Sequence, residues 1–255
     1  MNIGSSPATE YRYGAIFVLG PSSSGKTTLC DALSKELSIR PPQYIKEVAR
    51  NVMKTHGFTR DDTDTYEMQY AVMTAQLEAE ERAAAALQTM VVDGPRLILS
   101  DRSAIDPIVY SSTAEAQGAL DRRRRLMEDA ALQRMLPSYR GSLFGTYRWY
   151  KSGSHFIDQG CLVVLEPVTE WLEDDGVRSL EDPERYNRVL FTTLRELGIP
   201  YVKLGAEMKN IRARVDLVLS HLLGVAVLSS RARADTPARG LIPTTNLLSQ
   251  DTVAQ

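Results

Sequence analysis

The chain has 255 residues, 43% of them hydrophobic and 24% charged, with a formal net charge of -2 at pH 7. That balance provides for one substantial core, and a nearly neutral surface gives no global pull toward polyanionic nucleic acid. Cys30 and Cys161 are the only cysteines and form no CxxC pair, while His56, His155 and His221 are scattered, which excludes a recognisable zinc motif and fits a reducing, cytoplasmic setting.

Residues 1–12 read as a flexible N-terminus without an apolar signal core, and 13–228 as one folded domain. Ala15 to Leu19 is a short apolar run that suits a buried strand. It meets a Gly/Ser-rich turn and then TTLCDALSKEL, whose Leu29, Leu33 and Leu37 recur every four residues as on a helix face. Pro41 and Pro42 break the chain before QYIKEV, a second strand leading into a helix over Ala49 to Thr55. The stretch from Asp61 to Met90 is rich in helix formers with an acidic first turn, and predicts one long helix. Arg96 to Ser100 is a third strand ending in Asp101, Arg102 and Ser103; helices follow from about Ala104 and from about Asp121 to Leu136.

An aromatic and basic segment, about 139–159, reads as an insertion. Cys161 to Leu165 is a fourth strand, about 170–183 a charged lid loop, and Glu184 to Leu197 a helix. Tyr201 to Leu204 is a fifth strand and Ala206 to Leu223 the last helix. Residues 229–255 turn to Ser, Arg, Thr, Pro and Asn without periodicity, which predicts a disordered tail. Leu222 to Leu228, the longest apolar run near the C-terminus, is far short of the about 20 residues a membrane span needs. Strands alternating with helices imply parallel pairing through right-handed crossovers, hence a three-layer α/β sandwich around a five-stranded parallel sheet.

The strongest local signal is GPSSSGKT, Gly20, Pro21, Ser22, Ser23, Ser24, Gly25, Lys26 and Thr27, followed by Thr28. It fits the P-loop pattern GxxxxGK[ST] between an apolar strand and an amphipathic helix. The glycines let backbone N–H groups curl around phosphate oxygens, and the helix start adds its positive dipole end. Lys26 is expected to reach the β and γ phosphates and the Thr27 hydroxyl to ligate Mg²⁺, so ATP, or GTP, with Mg²⁺ is the expected ligand.

Ligands of open parallel sheets gather at the carboxyl ends of the strands. Two clusters fall there: Glu47 with Arg50, and Asp101 with Arg102 and Ser103. Phosphoryl transfer to a hydroxyl needs a carboxylate at the acceptor, another on the metal side, and cations on the transferring group. Asp101 is assigned a magnesium or acceptor role, with helix capping as the structural alternative, and Ser103 or Asp106 able to cap instead. Glu47 is assigned a substrate or base role, and Arg50 either pairs with it or faces the acceptor. Arg178, in the lid loop, is placed to bring a cation over the phosphates; Arg185 and Arg188 read as a solvated helix face. Arg122 to Arg125 form a basic run, read as a solvated helix end or as a contact for a phosphate-bearing substrate, an acidic lipid headgroup or RNA. The aromatics of Tyr139 to Tyr150 either stack on a base or pack a small core of their own.

GPSSSGKTTL, IKEVAR, DRSAID and LEPV followed by DDGVR occur in this order. With them the chain resembles the P-loop kinase family that contains the NadR-type nicotinamide riboside kinase domain and eukaryotic AAA-like relatives implicated in receptor trafficking. The resemblance spans roughly residues 14 to 223 and implies a nucleoside-kinase-like fold. It implies that Glu47 is the acceptor-side base, Asp101 the magnesium-side carboxylate, and Arg102 and Arg178 phosphate clamps. No HxGH signature of a nucleotidyltransferase occurs.

The favoured reading is an ATP-dependent kinase that moves the γ-phosphoryl group to a hydroxyl of a nucleoside-like small molecule. The alternative is a nucleotide-dependent switch that controls a protein partner or a phosphoinositide-bearing membrane in trafficking. Its G-protein version is weakened because no NKxD-like segment and no DxxG motif occur. A polynucleotide kinase would need a basic channel that this charge balance does not promise.

Overall fold

A computed structural model of the chain describes residues 14–89, 96–113, 118–141, 160–171 and 183–223. Five strands, β1 (Gly14–Leu19), β2 (Tyr44–Ile45), β3 (Leu97–Asp101), β4 (Gly160–Leu165) and β5 (Val202–Leu204), form one sheet in the order β2-β3-β1-β4-β5. Every neighbouring pair is parallel. β1 lies at the centre, with Val18 in register with Asp101 of β3 on one side and with Val163 of β4 on the other. The phosphate-loop strand and the strand that ends in Asp101 are therefore neighbours.

Strand alternation divides the core between two faces. Ala15, Phe17 and Leu19 of β1 face the cluster formed with α3 (Tyr66–Thr89), α4 (Ile105–Thr113), α5 (Ala119–Met127), α6 (Ala130–Tyr139) and α7 (Pro183–Glu196). Ile16 and Val18 face the opposite cluster, filled by Leu29, Cys30 and Leu33 of α1 (Lys26–Glu36) and Val215, Val218 and Leu222 of α8 (Ile211–Leu223). Helices cover both faces of a continuously apolar strand, as a buried parallel sheet requires. α2 (Val48–His56) packs Val52 and Met53 against Met68 and Val72 of α3 in a smaller cluster beside the sheet's carboxyl edge.

Side-chain capping moves several predicted boundaries. The helix predicted from Asp121 to Leu136 is two helices, because the Asp129 carboxylate accepts from the Ala131 and Leu132 N–H groups at 2.8 and 3.0 Å and starts α6 afresh. The acidic stretch at 61–62 does not open the long helix. Asp62 accepts from the Thr59 N–H at 2.8 Å and closes a capping box around a 3-10 turn (Arg60–Asp62), so α3 begins only at Tyr66. The last helix starts at Ile211, where Asn210 Oδ1 accepts from the Ala213 N–H at 3.1 Å, and not at Ala206.

Tyr139 is no part of an insertion. It is the buried last residue of α6, its ring edge-on to Phe17 at 4.8 Å. The rest of the aromatic segment from residue 142, Arg178 with the lid from residue 172, the N-terminus and the tail from residue 224 lie outside the described residues.

Candidate functional site

The loop between β1 and α1 folds as a phosphate-binding loop must. Gly20 (φ 147°) and Gly25 (φ 85°) adopt backbone conformations that side chains resist, and Ser23 joins them at φ 57°. Space demands glycine as well: a Cβ on Gly20 would lie 2.6 Å from the Leu165 carbonyl oxygen, and one on Gly25 would lie 3.0 Å from Arg214 Nη1 and 3.1 Å from Trp171 Cζ3. Within the loop Ser24 Oγ donates to the Pro21 carbonyl at 2.9 Å. The Lys26 ammonium folds inward, donating to the same carbonyl and lying 3.5 Å from Ser24 Oγ. Burial, and next the nearby Arg102 guanidinium, lower the Lys26 pKa to about 7. The loop thus holds a cation that is destabilised until an anion joins it.

The first helical turn faces the end of β3. Thr27 Oγ1 donates to Asp101 Oδ2 at 2.6 Å, bringing together the two residues assigned to the metal. A hydroxyl and a carboxylate in contact at the mouth of a phosphate loop are the hard oxygen donors that Mg²⁺ prefers, and they fit it through one or two direct or water-mediated bonds. Arg102, next along, has φ 89°, and its Nη1 pairs with the buried Asp106 at 3.0 Å. Asp106 also accepts from the Ser103 N–H at 3.2 Å and from the Tyr186 hydroxyl. Burial opposes the charge on Arg102, but the surrounding Tyr110, Asp106, Tyr186 and Asp101 override it and hold its pKa above the ordinary value. Its guanidinium is a fixed cation. Of the capping alternatives, Ser103 Oγ accepts from the Ile105 N–H at 3.1 Å and Asp106 from Ser103, which leaves Asp101 to Thr27.

Glu47 stands immediately before α2 in the left-handed region (φ 61°), half-buried, and pairs with Arg50 at 3.1 Å. The pairing alternative for Arg50 is therefore realised, and both residues still border the site. One cavity of about 460 Å³ is lined by Lys26, Thr27 and Thr28, by Asp101 and Arg102, and by Glu47 and Arg50.

Three further residues belong to this site that the sequence did not single out. Trp171 lies just beyond β4 and lines the cavity; the Arg214 guanidinium stacks 4.8 Å from its ring centroid. Arg214, 1% exposed, reaches from α8 to donate to the Ser24 carbonyl at 3.0 Å and so braces the loop from behind. Gln76 of α3 is 2% exposed and also lines the cavity. A tryptophan at a strand's carboxyl end was a usable signal. The other two look like ordinary helix residues until the helices dock.

The arginine run is largely engaged within the protein. Arg123 Nη2 meets Glu196 at 2.5 Å, Arg124 meets Asp121 at 2.6 Å, and the Arg125 guanidinium lies 3.6 Å over the Tyr66 ring. Among the described residues no helix is long and apolar enough to cross a membrane.

A five-stranded parallel sheet of order 2-3-1-4-5 with a Gly-Lys-Thr loop after its central strand defines the P-loop NTPase fold in its nucleoside-kinase form. More particularly, residues 15–140 match the model of a family described as an AAA domain. The crystal structure of NadR protein in complex with NR resembles the chain with a TM-score of 0.57 at 17% identity, covering 83% of this chain and 51% of that one. The chain thus spans about half the length of that structure. The structure of deoxyadenosine kinase from M. mycoides with bound dATP gives a TM-score of 0.50 at 15% identity, covering 84% of this chain and all of that one. No curated protein matches by sequence.

Proposed function

We propose that this chain is an ATP-dependent small-molecule kinase that transfers the γ-phosphoryl group to a hydroxyl of a nucleoside-like acceptor. The observation that carries the reading is that one cavity of about 460 Å³ is lined both by the phosphate loop with Asp101 and by a second carboxylate, Glu47. A site built only to hold a triphosphate and its metal needs no such second carboxylate. The likeness to structures of NadR protein with NR and of a deoxyadenosine kinase supports a nucleoside-like acceptor.

In this reading the loop N–H groups and Lys26 hold the β and γ phosphates, and the Thr27 hydroxyl and Asp101 hold the magnesium side. Mg²⁺, when bound, neutralises charge on the phosphate oxygens. Glu47 orients the acceptor hydroxyl and takes its proton as the oxygen bonds to the γ phosphorus and the bond to the β,γ-bridging oxygen breaks, leaving ADP. Arg102, and Arg178 from the lid, meet the charge of the moving group. Positioning and charge stabilisation supply the rate, with no covalent intermediate.

The test is transfer of labelled phosphate from ATP with Mg²⁺ to a panel of nucleosides, for the wild type and for Asp101→Asn and Lys26→Ala. A labelled nucleoside monophosphate is expected, with each variant slower by about 10²- to 10³-fold, the usual loss for one charge-stabilising group. Background hydrolysis alone across the panel would refute the proposal.

A further inference from the structure

A mechanical brace behind the phosphate loop needs a hydrogen-bond donor, not a charge, yet the residue in that place is an arginine. The Arg214 side chain is among the largest fully buried ones in the described residues, and none of the carboxylates there pairs with it. A buried guanidinium ordinarily answers to a carboxylate, because an unpaired charge out of water is costly. Here Nε donates to the Met208 carbonyl and Nη1 to the Ser24 carbonyl, and the Trp171 ring lies against the cation. Nη2 is sealed from solvent with no hydrogen-bond partner among the described residues. Two neutral carbonyls and an indole orient the guanidinium and leave its positive charge unbalanced.

The surroundings deepen the imbalance. Ser24 and Gly25 immediately precede α1, whose N-terminus is the positive end of a helix dipole, and the Lys26 ammonium is buried in the same loop. Asp101, across the loop, is engaged by Thr27. The positive potentials of guanidinium, ammonium and helix end therefore meet at the cavity that Gly25 and Lys26 line. One amide group connects Arg214 with that cavity. A cation on the Ser24 carbonyl oxygen draws electron density along the Ser24–Gly25 peptide and makes the Gly25 N–H, at the other end of the same amide, a stronger donor.

Resting on the nucleotide site of the kinase reading above, we propose that the nucleotide's phosphate chain is the counter-anion of Arg214. Arg214 is a positioning residue: it acts on the phosphates through the Gly25 N–H and through its own uncompensated charge. The ligand class it serves is a magnesium-bound polyphosphate, whatever base that polyphosphate carries.

The experiment measures binding of Mg·ATP and of Mg·tripolyphosphate by calorimetry at pH 6.5, for wild type, Arg214→Lys and Arg214→Gln, each checked for folding by urea titration. Both replacements keep a donor for the Ser24 carbonyl and differ in charge. Arg214→Lys is expected to bind both ligands about tenfold or more tightly than Arg214→Gln, the scale of one poorly screened charge nearby. If Arg214→Gln does not fold, Arg214→Met supplies the neutral arm. Equal affinities in the charged and neutral variants would reduce Arg214 to a brace and overturn the proposal. A difference confined to Mg·ATP would overturn it too, by placing the effect on the base. In both cases the wild type still binds nucleotide and the kinase reading stands. A wild type that binds neither ligand would end the proposal and the nucleotide site together.

Discussion

Gly25 and Gly57 offer a paired measurement of how tightly the phosphate loop is braced. Both have positive φ, 85° and 74°, so an alanine at either position meets the same backbone penalty, about 1–2 kcal/mol. They differ in surroundings. A Cβ on Gly57 meets nothing within 4 Å, whereas one on Gly25 lies 3.0 Å from Arg214 Nη1 and 3.1 Å from Trp171 Cζ3. Neither neighbour yields freely, because Arg214 is anchored to the Ser24 and Met208 carbonyls and Trp171 is stacked on Arg214. Overpacking of this kind costs about 1–3 kcal/mol, so Gly25→Ala is expected to destabilise by about 2 kcal/mol more than Gly57→Ala. For a domain of this size that separates their melting temperatures by about 4–8 °C. Urea titration of both variants, with a nucleotide-binding isotherm for each, makes the measurement. Gly57→Ala is expected to bind nucleotide normally and Gly25→Ala weakly. Equal destabilisation by the two would refute the claim that the arginine and tryptophan form a rigid backing.

Two predictions concern buried charge. Lys26 has its pKa lowered to about 7, so at pH 8 the free protein has lost most of that proton; a triphosphate restores the charge, and binding then takes up about one proton. Affinity falls as pH rises above 7, by at most about tenfold per pH unit, and calorimetry in buffers of different ionisation enthalpy reads the uptake directly. Zero uptake, or the same uptake in Lys26→Met, would contradict it. Burial raises the Glu80 pKa from 4.5 to about 8, against the hydrogen bonds from Tyr139, Gln76 and Ala104 that lower it. A raised folded-state value means its stabilising contribution is full below about 4.5 and lost as pH climbs through 8, with a slope approaching about 1.4 kcal/mol per pH unit in between. Glu80→Gln is expected to remove that slope from urea-denaturation stabilities measured between pH 5 and 8.5; parallel curves for the two proteins would count against it.

Much of this site could be read from the chain because its parts are local. The loop from Gly20 to Thr27 specifies its own conformation through two glycines, and the polar cluster after Leu97 to Ser100 announces a strand's carboxyl end. The five strands and their parallel pairing followed from short apolar runs separated by helical periodicity. Helix limits were less legible. Asp129 and Asn210 act as caps only once the backbone turns beneath them, and in sequence they resemble any polar residue. Least legible were Gln76 and Arg214. Each sits in a helix-forming stretch, and its meaning lies in a partner on another element, Ser100 for one and Ser24 for the other. Periodicity reports which face of a helix is apolar, and a buried polar residue on that face reads as an interruption until its partner is known.

The brace on the phosphate loop has a consequence for biosynthesis. The hydrogen bond from Arg214 to Ser24 joins residues 190 positions apart, and Arg214 also backs Gly25. During translation the Gly-Lys-Thr motif leaves the ribosome long before the helix that steadies it, so the growing polypeptide carries the loop without its brace. A full-strength phosphate loop is therefore expected only once α8 has been made and has seated against the sheet.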